Sequence, residues 1–127
     1  MDTSALVKLV VAEDESQSLR SFLCERAEDS LFSAALARTE LLRAVASNGP
    51  RAIVDARNLL SSLDTVVLTR QLLDDAGTLQ PPRIRSLDAI HLVAAQRAGE
   101  TLRAVVTYDD RMLSAATDLG IATASPR

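Results

Sequence analysis

The sequence is poor in cysteine and has no long hydrophobic run, and each scarcity excludes a class of protein. Cys24 is the only cysteine, so neither a disulfide within the chain nor a thiolate metal cage can form, which is typical of a reducing compartment. No apolar run approaches the roughly 20 residues of a membrane span. The start of the chain has no basic segment ahead of an apolar core, as a secretory signal would require. We therefore expect a cytoplasmic protein that has no membrane association.

An excess of positive charge is also missing. The formal net charge is −3 and the pI is about 5.1, whereas proteins that hold nucleic acid by bulk electrostatics have a basic surface. Any contact with nucleic acid must therefore be local. Thirteen of the fourteen basic residues are arginine and only Lys8 is lysine. Arginine suits phosphate groups, but a biased base composition of the genome explains the same preference.

The periodicity of the apolar residues indicates a single α/β domain over residues 1–127. Helices are predicted over residues 3–11, 16–26, 36–47, 51–63, 70–78, 86–98 and 110–119, with Ser86 as the cap of the sixth helix. Strands are predicted over residues 31–34, 65–69, 104–108 and 121–124. The strands are continuous apolar runs, as in a parallel sheet that is covered on both faces. Sheets of this kind bind ligands beyond the carboxyl ends of their strands.

Two aspartates stand out by their position. Asp109 directly follows the predicted strand 104–108, at the edge where such a sheet presents its functional loops; capping of the next helix by Asp109 or Asp110 explains the position equally well. Asp88 lies in the first turn of a helix that is apolar on nearly every face, so we expect that helix to be largely buried and the carboxylate to need a partner. The helix dipole contributes only about 0.3–1 kcal/mol there, which does not offset the burial of an ion. A bound cation would offset the cost of burying this carboxylate.

Other polar residues are ambiguous when each is taken alone. Glu40 lies three residues before Arg43, with which it can form a surface ion pair. Asp2 can cap a helix that starts at Thr3. His91, the only histidine, lies on the same side of its helix as Asp88, and we interpret it as a hydrogen-bonded core residue, not as a ligand.

Four segments resemble, in order and spacing, the four motifs of the PIN-domain family, and most closely the VapC toxins. These segments are DTSALVKL from Asp2, TELLR from Thr39, SLDAIHL from Ser86 and VTYDDRML from Val106. The resemblance covers essentially the whole chain and implies a three-layer α/β/α fold with a mostly parallel central sheet. It also implies that Asp2, Glu40, Asp88 and Asp109 form an acidic quartet, with Asp110 as a possible helper. One feature departs from the family pattern: only Met1 precedes Asp2, so the first strand is expected to be truncated, or the native start lies upstream.

The resemblance further implies cleavage of RNA that depends on Mg²⁺ or Mn²⁺, inhibition by a small VapB-like antitoxin, and a homodimer. Mg²⁺ prefers oxygen ligands in octahedral geometry, which four carboxylates suit. Because an acidic site repels RNA, nearby arginines would have to engage the phosphates, and Arg43, Arg85 and Arg111 are candidates by sequence adjacency.

The alternative is a phosphorylatable receiver module, a regulatory α/β domain that also has an acidic Mg²⁺ pocket. Receivers resemble one another in a pocket lysine late in the chain. Here the only lysine is Lys8, near the start, and this disfavours the receiver alternative.

Overall fold

The structure is a computed structural model that describes residues 1–127. It contains seven α-helices, which are α1 (Thr3–Val10), α2 (Ser16–Cys24), α3 (Ala37–Val45), α4 (Pro50–Ser62), α5 (Arg70–Gly77), α6 (Ser86–Gln96) and α7 (Asp110–Asp118). Its four short strands are β1 (Phe32–Ala34), β2 (Asp64–Val66), β3 (Val105–Val106) and β4 (Thr123–Ala124). Every predicted helix and strand is present, and the predicted α/β class with parallel strands is confirmed.

The bounds of several elements differ from the prediction. The strand predicted over residues 65–69 ends at Val66, because its partner β1 offers only three residues for pairing. Thr69 instead caps α5, since its hydroxyl accepts a hydrogen bond from the Leu72 amide at 3.1 Å. The prediction that Ser86 caps α6 was wrong: Arg85 occupies the cap position and no side chain caps that helix. Short 3₁₀ turns at Ala46–Asn48 and Gly99–Thr101 were not predicted.

The strands form two separate parallel pairs, which the start of the chain connects. β1 pairs with β2 and β3 pairs with β4. The Met1 amine donates to the Phe32 carbonyl at 2.5 Å, and the Asp2 amide donates to the Val106 carbonyl at 3.0 Å. Residues 1 and 2 therefore lie between β1 and β3 and bond to both through their backbone.

Next to residues 1 and 2 the space between the two strand pairs is not filled by side chains. Two adjoining cavities of about 60 and about 380 Å³ lie between residues 31–32 on one side and residues 102–106 on the other. Burial lowers the pKa of the Met1 amine to about 6, although the charge of Asp2 opposes this shift.

Apolar clusters fix the helices that lead into this junction. One cluster joins α1, α3 and α4 through Leu6, Leu41 and Leu60. A second joins β1, α5 and α6 through the residues Ala34, Leu72 and Val93. Burying such leucine and valine side chains stabilises a fold by about 1.5–3 kcal/mol each, so the first turns of α1, α3 and α6 are held in place by their own hydrophobic faces. None of the seven helices is both long enough and apolar enough to cross a membrane.

Candidate functional site

The four predicted acidic residues come together in one cleft. Asp2, Glu40, Asp88 and Asp109 all line an open cavity of about 650 Å³. Asp2 and Asp109 occupy the N-cap positions of α1 and α7, whereas Glu40 and Asp88 lie in the first turns of α3 and α6. The N-termini of four helices therefore point their positive dipole ends at the cleft, which partly offsets the repulsion among the carboxylates.

Asp2 is the buried member of the set, with 7% of its surface exposed. Its Oδ2 atom accepts hydrogen bonds from the Ser4 hydroxyl at 2.7 Å and from the Thr107 hydroxyl at 2.8 Å. Asp2 occupies the N-cap position of α1, as the capping alternative predicted, but its side chain makes no capping bond to that helix. Thr107 is fully buried and also accepts from the Asp109 amide at 3.1 Å. One hydroxyl thus connects the Asp2 carboxylate to the backbone of Asp109.

Glu40 is held by a residue that is 51 positions away in the sequence. Its Oε2 atom meets the Nε2 atom of His91 at 2.7 Å and accepts a hydrogen bond from Thr3. Burial favours a higher pKa for Glu40, but the hydrogen bonds from His91 and Thr3 outweigh burial and lower the pKa. His91 is indeed a buried, hydrogen-bonded residue, and its partner is a cleft carboxylate. The surface ion pair between Glu40 and Arg43 is not formed, and that alternative is wrong.

Asp109 is both a helix cap and a member of the cleft. Its Oδ1 atom accepts from the Arg111 backbone amide at 2.8 Å, which is the predicted capping bond, and its Oδ2 atom meets Nη2 of Arg111 at 2.8 Å. The hydrogen bond from Arg111 is the largest cause of the lowered pKa of Asp109. Asp110 is exposed and faces an adjoining cavity, together with Arg83 and Asp118.

Asp88 is the unpartnered carboxylate of the cleft, since it makes no hydrogen bond or ion pair through its side chain. It is half-buried, although α6 itself is largely buried, as predicted. The reason is that the buried face of α6 begins at Ala89, while the neighbouring Leu87 is 50% exposed. Burial and then the negative charges of Asp109 and Asp2 raise the pKa of Asp88, although Arg111 and His91 oppose the shift. The charge of Asp88 is therefore disfavoured in the folded protein.

The donor set suits a hard divalent cation, because all four side chains offer oxygen atoms and three of them repel one another. No three acidic, histidine or cysteine side chains lie close enough together to hold an ion as they stand. Internal donors engage the carboxylates of Asp2, Glu40 and Asp109. Binding of a cation would therefore require side-chain rearrangements at the cleft.

Parallel strands flanked by helices, with an acidic cleft, are what the resemblance to the PIN-domain family implied. Residues 1–118 match the PIN domain family, and the chain belongs to that family. The chain is 46% identical over 126 residues to Ribonuclease VapC46 of Mycobacterium tuberculosis (strain ATCC 25618 / H37Rv), a match that covers 99% of this chain and 95% of the relative. It is also 46% identical to Ribonuclease VapC47 and 39% identical to Ribonuclease VapC35 of Mycobacterium tuberculosis (strain CDC 1551 / Oshkosh), with the same coverage.

No solved structure matches the chain. The resemblance noted in the sequence is thus confirmed for the family, whereas the assignment of all 127 residues to one domain stays a prediction. The receiver alternative gains no support, because Lys8 binds Glu13 and Glu15 at 2.8 and 2.7 Å and does not line the cleft. The sequence analysis missed Thr3 and Ser4 as partners of the cleft carboxylates. Their hydroxyl groups directly after Asp2 were the available signal.

The role of Thr107 can be tested by removing its hydroxyl while keeping its shape. In Thr107→Val the buried Asp2 loses one of two donors and the Asp109 amide loses its acceptor, so we expect a loss of about 1–3 kcal/mol in the free energy of unfolding. Thr107→Ser is the control, because it keeps the hydroxyl and removes one methyl group, worth about 0.8 kcal/mol. Urea unfolding at pH 7 measures both. A valine variant at least as stable as the serine variant would contradict the role assigned to the hydroxyl.

Proposed function

We propose that this chain is a metal-dependent endoribonuclease that hydrolyses phosphodiester bonds of RNA and acts as the toxin of a toxin–antitoxin pair. The observation that carries the proposal is the convergence of Asp2, Glu40, Asp88 and Asp109, from four separate parts of the chain, on one cleft. Three relatives at 39–46% identity are named ribonucleases, which supports the same activity here. The cytoplasm is the proposed location.

The four carboxylates are the proposed metal ligands and the catalytic residues, with Mg²⁺ or Mn²⁺ as the cofactor. When bound, such an ion activates a water molecule for attack on the phosphodiester and neutralises charge on the leaving oxygen. The contribution of the chain is to position the ligands. Ser4 and Thr107 fix Asp2, and His91 and Thr3 fix Glu40. Asp88, which has no internal partner and a raised pKa, gains most from a nearby cation.

Exposed arginines at the rim of the cleft are the proposed contacts to RNA. Arg43, Arg85 and Arg111 all line the cavity that holds the four carboxylates. Arg43 and Arg85 are exposed and form no ion pair within the chain, so their guanidinium groups are available to phosphate oxygens. Since the net charge is −3, this local supply of positive charge is what allows an acidic site to attract an anionic substrate.

The proposed partner is a small cognate antitoxin that inserts a basic side chain, namely arginine, among the carboxylates. A guanidinium can compensate the charge of the cleft with paired hydrogen bonds, as a metal ion would by coordination. The ion pair between Arg111 and Asp109 is a guanidinium–carboxylate contact of this kind and supports the proposal. The homodimer that the family resemblance implies stays a prediction.

Replacing Asp88 tests the nuclease proposal without removing a structural contact. We expect Asp88→Asn to lower divalent-dependent cleavage of single-stranded RNA by at least about a hundredfold. Because the pKa of Asp88 is raised in the folded protein, its charge destabilises the fold increasingly as the pH rises through that pKa. The variant should therefore be at least as stable as the wild type at pH 7 without metal, and the two should converge in acid.

Metal should stabilise the wild type more than this variant, since a ligand that binds only the folded state adds RT ln(1 + [L]/Kd) to the free energy of unfolding. Thermal melts with and without Mn²⁺ measure this difference. Asp74→Asn is the control, because Asp74 is an exposed aspartate on α5 that does not line the cleft. Cleavage by Asp88→Asn at the wild-type rate would remove Asp88 from the site and would contradict the proposal.

The binding of RNA can be measured separately from catalysis in the Asp88→Asn background. Adding Arg43→Ala or Arg85→Ala should weaken binding of single-stranded RNA and reduce the slope of log K against log salt by about 0.7 for each phosphate that the variant no longer neutralises. Fluorescence anisotropy across a salt series gives both quantities. Arg57→Ala is the matched control, since Arg57 is also exposed and unpaired but lies on α4, outside the cleft. Equal effects of all three substitutions would exclude a specific role for the rim arginines.

The partner can be tested by purification of the chain from its native host. We expect a small protein to be recovered with it in stoichiometric amount, and we expect the complex to be inactive because an arginine of that protein occupies the cleft. Mass spectrometry and an RNA cleavage assay before and after separation measure this. Recovery of free, active enzyme without any partner would count against the toxin role and would leave catalysis unaffected.

A further inference from the structure

Among the cleft carboxylates, only Asp109 is paired with a permanent cation. Nη2 of Arg111 meets Oδ2 of Asp109 at 2.8 Å, and Nε meets Oδ1 at 3.3 Å. Both oxygen atoms of Asp109 are thus engaged by one guanidinium. Asp2, in contrast, is held by two hydroxyl groups, and no ion pair reaches Asp88.

The position of Arg111 lets its charge act on the whole cleft. Its side chain is 55% exposed and lines both the carboxylate cleft and an adjoining cavity of about 310 Å³ that also contains Arg83 and Arg85. Its charge also opposes the rise in the pKa of Asp88. Because the side chain is exposed and only its tip is bound, the guanidinium can leave Asp109 without disturbing the core.

We propose that Arg111 is a built-in counter-ion of the cleft, which competes with the divalent cation for Asp109 and has to leave when the cation binds. This inference rests on the proposed function, because it takes Asp109 as a ligand. If a guanidinium and a divalent cation bind the same carboxylate, they are close together and repel each other strongly. The cleft therefore has a lower affinity for the cation than it would have if Asp109 were not paired with Arg111. The released guanidinium faces the adjoining cavity, where its planar fork suits a phosphate group of RNA.

Titration of Mn²⁺ into the purified chain by isothermal calorimetry tests the inference without measuring activity. We expect Arg111→Ala to bind Mn²⁺ roughly three- to tenfold more tightly than the wild type, because the competing charge is gone. The variant should fold, since the bond that caps α7 comes from the backbone amide of residue 111 and alanine favours a helix. Arg51→Ala is the matched control: Arg51 binds both oxygens of Asp55 at 3.0 Å but lies outside the cleft, so its removal should leave Mn²⁺ affinity unchanged.

Asp88→Asn in the same titration separates this inference from the proposed function. If Asp88→Asn binds Mn²⁺ as tightly as the wild type, the proposed metal site itself is wrong. If Asp88→Asn weakens binding while Arg111→Ala binds no more tightly than the wild type, the metal site stands and the counter-ion role of Arg111 is overturned. Tighter binding by Arg111→Ala together with weaker binding by Asp88→Asn supports both.

Discussion

The buried carboxylate of Asp2 is the group on which the arrangement of the strands and of the cleft depends. Burial of an ion is costly unless hydrogen bonds or a counter-charge compensate it, and here Ser4 and Thr107 supply the hydrogen bonds. The backbone of the same residue donates to Val106 in β3, while the preceding residue bonds to Phe32 in β1. One short segment therefore joins the two strand pairs and also places a carboxylate in the cleft. A change that displaces this segment would disturb both the strand pairs and the cleft.

In the absence of a cation, several kinds of group compensate the negative charge of the cleft carboxylates. Four helix N-termini contribute their dipoles, hydroxyl groups and His91 donate to Asp2 and Glu40, and Arg111 neutralises Asp109. Asp88 has no hydrogen-bond donor, and burial together with the nearby negative charges raises its pKa. A fold that compensates three of four acids in this way can be stable without metal and still retain a driving force to bind it.

Many of the basic residues form ion pairs outside the cleft. Several arginines are paired with carboxylates elsewhere on the surface, as Arg97 is with Asp75 and Arg103 with Asp29. Lys8 lies 4.8 Å from the centre of the Tyr108 ring and binds Glu13 and Glu15, so it ties α1 to the loop after β3. The charges of these residues are neutralised where they stand, whereas Arg43 and Arg85 at the cleft rim form no ion pair, and neither does Arg57 on α4.

The sequence by itself determined the local features of this protein. Apolar periodicity predicted the helices and strands, and position along the chain marked Asp88 and Asp109 as candidate site residues. The full set of cleft residues came from the resemblance of four segments to the PIN-domain motifs. These features are encoded within a few residues, because helical turns, caps and strand ends depend on neighbouring positions. Only the tertiary structure decided which groups hold the carboxylates. Thr107 reaches Asp2 across 105 positions and His91 reaches Glu40 across 51. These pairings, and the division of the strands into two pairs, join segments that are far apart in the sequence, which no local pattern in the chain specifies.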